Sequence, residues 1–118
     1  MTRLFIALGL ATISFALLAG TSRAATPTLT GTVGPGFTIT LTQNGKAVTS
    51  LKAGTYRLVV HDKADIHDFV LEGPGVEREV TSVPFKGTKT VTVKLGAGKF
   101  KFYCRPHEPV MFGFVTVK

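Results

Sequence analysis

Near the end of this chain a thiol, an imidazole and a thioether stand within eight positions: Cys104, His107 and Met111. Two residues separate Cys104 from His107, and three separate His107 from Met111. Soft metals favour such donors. Copper takes thiolate and imidazole in a trigonal plane, with a weak, long thioether bond along the axis. A set of that kind needs a second imidazole, and His67 supplies one far upstream, in Ile66-His67-Asp68-Phe69. The predicted ligands of a single copper ion are therefore His67, Cys104, His107 and Met111.

The rival chemistries are weaker. Structural zinc takes four strong nitrogen or sulfur ligands, usually in cysteine-rich clusters. One cysteine and two histidines fall one short of that number. His61, the third histidine, lies opposite the Tyr56, Leu58 and Val60 face and is expected to be exposed or beside the site. Asp62, Asp65, Asp68 and Glu108 offer hard oxygens that suit other metals. They are read as solvated or supporting groups. The chain has three histidines in all, too few for the further metal centre of a copper oxidase or nitrite reductase. Catalysis beyond one-electron transfer is not expected, and the chain reads as a non-enzyme.

Four distant side chains need a rigid frame. Thirteen glycines and six prolines punctuate short runs rich in Val, Thr and Phe, the pattern of an all-β domain. No sustained helical periodicity appears after the first twenty-odd residues. Thr28 to Val33 reads as a first strand. Phe37, Ile39 and Leu41 alternate with Thr38, Thr40 and Thr42, giving one apolar and one hydroxylated face. Asn44-Gly45 favours the positive φ angles of a tight hairpin. Tyr56, Leu58 and Val60 mark a central strand, and His67, Phe69 and Leu71 are expected on one face of another. Val76 to Phe85 is the least periodic stretch, and Pro84 argues for an edge or loop there. The period of two puts Phe100, Phe102 and Cys104 inward, with Lys99, Lys101 and Tyr103 outward. Phe112 to Val117 is the last strand. About eight strands at this turn spacing predict a two-sheet Greek-key β-sandwich. Cys104 then ends one strand and Met111 begins the next. Pro106 and Pro109 stiffen the loop on both sides of His107.

The amino terminus has a different character. Met1-Thr2-Arg3 carries one positive charge, Leu4 to Ala19 is almost wholly apolar, and small residues follow. That is the pattern of a secretory signal peptide, and the apolar run is short for a bilayer span of about 20 residues. A cut after Ala24 leaves a mature domain at 25–118, periplasmic or secreted, with no stable membrane insertion. Loss of Arg3 and Arg23 lowers the net charge from +7 to +5. The only cysteine excludes an internal disulfide, and metal ligation gives the lone thiol of an exported chain a use. The basic residues are scattered singly, so nucleic-acid binding is not expected. A diffuse positive surface suits an acidic partner. Nothing in the sequence points to an oligomer.

The segment Tyr103 to Val117 resembles the copper loop of the plastocyanin-like cupredoxins, small type 1 blue copper proteins. The shared pattern is Tyr-Cys-x-x-His, three residues, Met-x-Gly, then Val-Thr-Val. His67 with Asp68-Phe69 resembles the upstream ligand segment, and the likeness runs from about Gly36 to Lys118. It implies equatorial ligands at His67, Cys104 and His107, an axial ligand at Met111, and a one-electron carrier cycling Cu(I) and Cu(II). The same ligands would serve a protein that binds copper and delivers it to an exported acceptor. The His-to-Met spacing is one residue shorter than in plant-type plastocyanin. Asp68 stands where plastocyanin has asparagine, which leaves open the side-chain bond across the loop.

Overall fold

The computed structural model describes residues 11–14 and 25–118. The expected signal segment, 1–24, lies outside the described residues except at 11–14, as does the cut expected after Ala24.

Alternating threonine and apolar residues form the first sheet. In β1 (Thr28–Val33), Leu29 and Val33 are buried while Thr28, Thr30 and Thr32 keep some exposure. β2 (Ile39–Gln43) pairs with it antiparallel, and Asn44 and Gly45, with φ of 51° and 78°, turn the chain into β3 (Lys46–Ala47). That is the hairpin the Asn-Gly pair predicts. After β4 (Ser50–Leu51) comes the long β5 (Gly54–Asp62), which buries Tyr56, Leu58 and Val60 and runs parallel to β1. β6 (Phe69–Gly73) and β7 (Val76–Thr81) form a hairpin, β8 (Gly87–Leu95) returns beside β5, and β9 (Gly98–Tyr103) and β10 (Phe112–Val117) close the chain.

Two five-stranded sheets result, in the orders β3-β2-β1-β5-β8 and β4-β10-β9-β6-β7. The chain leaves the first sheet for β4, for β6 and β7, and for β9 and β10, and returns to it for β5 and for β8. The all-β sandwich is as expected. Among the described residues ten strands replace about eight because β3 and β4 are two-residue pieces.

The core lies between the sheets. Leu29, Leu58, Val60, Phe69, Phe100 and Val115 are almost wholly removed from water, and each such side chain contributes about 1.5–3 kcal/mol by burial. Phe69 and Phe102 stack at 6.3 Å with their planes 5° apart. Gly113 makes room for this pair, since a Cβ there would overlap the Phe102 ring. The strands that flank the Cys104–Met111 loop are thus locked to the middle of the core.

Three local expectations change. β6 begins at Phe69, so His67 sits in the connection before it. Val76 to Thr81 is a true strand, at the sheet edge that Pro84 suggested. Tyr103 alternates outward but is buried at 6% exposure, with Lys101 Nζ 4.9 Å from its ring centre and with Phe112 and Val70 as its partners on the two neighbouring strands.

Candidate metal centre

Cys104 follows the last residue of β9. Its N–H donates to the Met111 carbonyl at 3.0 Å, which holds the two ends of the loop together. Between them Arg105–His107 makes one turn of 3-10 helix with Pro106 in its first turn. Pro lacks an N–H and has a fixed φ, so it fits a helix start. The His107 N–H donates to the Cys104 carbonyl at 3.2 Å, and the His107 carbonyl accepts from Met111 at 2.9 Å and Val110 at 3.0 Å. The loop is therefore closed by its own backbone. Met111 is fully buried in the core cluster at the loop's end.

His67 reaches this loop from the β5–β6 connection. The Phe69 N–H donates to the buried Thr81 Oγ1 at 3.1 Å, fixing where β6 starts. Asp68 Oδ1 accepts the Arg105 N–H at 2.7 Å, which ties the two segments directly. The bond left open at this position is made, with carboxylate in place of amide. The Arg105 guanidinium then reaches β7, with Nη1 2.8 Å from Glu79 Oε2.

The donor atoms converge. His67 Nδ1 lies 3.1 Å from His107 Nδ1 and 3.8 Å from Cys104 Sγ, and His107 Nδ1 lies 3.6 Å from the same sulfur. The point equidistant from the three is about 2.0 Å from each, a normal length for a first-row metal–imidazole bond and slightly short for a metal–thiolate bond. Two facing Nδ1 atoms can share one proton at most, whereas a cation accepts both lone pairs. His67 and Cys104 are fully buried, and His107 keeps partial exposure.

Electrostatics favour a cation here. Burial pushes the Cys104 thiol above its ordinary range, and the backbone N–H groups of Asp68 and His107 pull it partly back. A buried thiolate is costly unless a positive ion replaces the proton. Asp62, at the end of β5, is 2% exposed, and burial raises its carboxyl as well. Asp62 Oδ2, Asp68 Oδ2 and His67 Nε2 are buried without a partner among the described residues.

The structure thus brings together three of the four expected ligand residues as one donor cluster, and sets Met111 in the core beside them. His61 lies elsewhere, on β5, with Nδ1 3.0 Å from Thr88 Oγ1. Sequence reasoning missed Phe37. It was expected on the apolar face of β2, but it precedes that strand, is 58% exposed, and packs on both imidazoles. Its ring centre is 5.5 Å from that of His67 and 4.8 Å from that of His107, edge to face in each case. The one available signal was its place directly after the Gly34-Pro35-Gly36 turn, which separates it from the β2 alternation.

No family model matches the chain, and a search of the curated proteins finds no significant match. Solved structures do match. One rusticyanin variant is 23% identical, covers 81% of this chain and 79% of its own, and superposes with a TM-score of 0.57. The copper protein rusticyanin gives 20% identity, 81% and 80% coverage and a TM-score of 0.55. A reduced amicyanin variant gives 15%, 80% and 86%, and 0.51. The fold of this chain is the cupredoxin fold, and His67, Cys104, His107 and Met111 are consistent with one type 1 copper ion.

Proposed function

We propose that this protein is an exported one-electron carrier of the periplasm or cell exterior. His67, Cys104 and His107 would be the equatorial ligands of one copper ion, and Met111 the axial ligand. The observation that carries the reading is the meeting of two Nδ1 atoms and one Sγ within 3.8 Å of one another. When bound, copper supplies a reversible Cu(I)/Cu(II) couple in a set of this type.

The protein's part is to hold the donors still. Fast one-electron transfer needs a site that changes little between oxidation states, and ligands fixed by surrounding bonds meet that need. The backbone bonds of the Cys104–Met111 loop and the Asp68–Arg105 bond provide this fixing. Burial of His67 and Cys104 keeps water away from the sulfur. His107 alone of the three has exposed surface, so electrons enter and leave through its ring. Val110 and Phe112 are exposed at 67% and 46% and, with Pro106 and Pro109, give that end an apolar rim. A redox partner with acidic flanks docks there briefly, attracted by the positive charge of a monomeric carrier.

The test is a visible spectrum with a redox titration of the copper-loaded protein. The expected result is an intense blue thiolate-to-copper band that bleaches and returns through one reversible electron. A colourless, redox-silent copper complex would remove the proposal.

A further inference from the structure

The His67 and His107 rings share a neighbour whose role the ligand set does not explain. Phe37, His67 and His107 form a closed triangle of rings. The centroids lie 4.8, 4.9 and 5.5 Å apart, and the planes cross at 73° to 86°. Edge-to-face contacts at such distances are attractive beyond the area they bury. Yet Phe37 remains 58% exposed, an unfavourable place for a phenyl ring unless something holds it.

The loop around it does so. The Gly34 N–H donates to the Thr38 carbonyl at 2.9 Å, closing residues 34–38 into a tight loop with Phe37 near its tip. The Lys63 N–H donates to the Val33 carbonyl at 2.9 Å, fastening the start of that loop to the segment that leads to His67. Gly34 itself presses on the metal centre. A Cβ built there would stand 3.1 Å from His67 Cδ2 and 3.3 Å from Ala64 Cβ. The β1–β2 loop therefore meets the imidazoles at two points, Gly34 against His67 and the Phe37 ring against both.

We infer that Phe37 is a positioning residue that seals the metal centre: its ring covers the imidazole edges and limits the access of outside ligands to His107 and His67. This rests on the ligand assignment proposed above and adds what that assignment lacks, a barrier to exchange. A sealed site retains its ion, which suits an electron carrier better than a protein that hands copper on.

The test has two arms. In the metal-free protein, carbethoxylation of each histidine by diethyl pyrocarbonate is followed by peptide mass spectrometry. His61, on the outer face of the other sheet, is the internal reference. Phe37→Ala is expected to speed modification of His107 about tenfold, the scale of losing two edge-to-face contacts, with no change at His61. In the copper-loaded protein the same variant should surrender its ion to a chelator faster by a similar factor. Phe37→Leu, which keeps apolar bulk, should restore most of the protection in both arms. Equal His107 rates in the parent and Phe37→Ala would overturn the inference, as would a Leu variant as fast as the Ala variant. Should the parent protein fail to hold copper at all, the ligand assignment falls, while the seal is still judged by the metal-free arm.

Discussion

The two halves of the metal centre are built on different principles. The carboxy-terminal half, Cys104 to Met111, is a single loop. It is bound at its neck by the Cys104–Met111 bond and inside by bonds to the His107 carbonyl. The amino-terminal half comes from two separate places, the Gly34–Phe37 loop and the His67–Asp68 connection. Their bonds to the first half are few and long in sequence. One hydrogen bond joins Asp68 to Arg105, and ring contacts join Phe37 and His67 to His107. Local bonds can form a loop before the rest of the fold is in place. Long-range ones only report that the fold is complete, since closing large loops costs entropy that the whole core must offset.

Removing the sulfur breaks the self-contained half, and its effect is the largest. Cys104→Ser should abolish the blue band of the copper-loaded protein entirely. Far-ultraviolet circular dichroism should still show the sandwich, because Cys104 lies beyond β9 and the loop bonds use backbone atoms. A band that persists would assign the colour to another group.

Cutting the tie between the halves has the next largest effect. Asp68→Ala leaves the Arg105 N–H without its acceptor in a partly buried place. Such a loss costs about 1–3 kcal/mol, which for a domain of this size lowers Tm by about 4–8 °C per kcal/mol. Asp68→Asn keeps an oxygen at the same position and should recover most of the loss in thermal unfolding of the metal-free protein. If Asn falls as far as Ala, the tie depends on the carboxylate charge and not on the hydrogen bond.

The same contrast explains what could be read from the sequence. Cys104, His107 and Met111 are legible because their spacing lies within one loop, and the alternation of β9 and β10 locates both of its ends. His67 is legible as a donor type. Its approach to Cys104 is a property of the strand order, with β6 beside β9, and no local pattern encodes that. The Asn44-Gly45 hairpin could be read from backbone preference alone. Tyr103 could not be placed by alternation, since its burial comes from neighbours on the outer face of the sheet, Lys101 among them. The bond of Asp68 stays open in the sequence because Asp replaces the asparagine of plastocyanin. It is made because an acceptor oxygen is common to both residues, and the donor is the backbone of a residue distant in sequence. Phe37 reads as part of the strand because it continues a period of two. The Gly34–Thr38 bond ends that period and lifts Phe37 over the metal centre.

The smallest effect comes from the closest approach in the amino-terminal half. Gly34 has φ of +73°, and an alanine forced into that region costs about 1 kcal/mol. Its methyl group would also stand 3.1 Å from His67 Cδ2, so the ring must give by a few tenths of an ångström. His67 is fully buried, and a displacement of its ring moves Nδ1 relative to Cys104 Sγ. Gly34→Ala should therefore lower Tm of the metal-free protein by several degrees and also shift the absorption maximum of the copper-loaded protein. Gly36→Ala provides the contrast within the same loop. A Cβ there meets nothing within 4 Å, so stiffening of the loop is its only effect. The positive φ of Gly34 already predicts a loss of stability that Gly36→Ala lacks, so the discriminating reading is the spectrum. The same spectral shift in both variants would trace it to the loop backbone. A shift confined to Gly34→Ala would trace to the His67 ring, and would show that the distant half of the site is set by contact as closely as the loop is by its own hydrogen bonds.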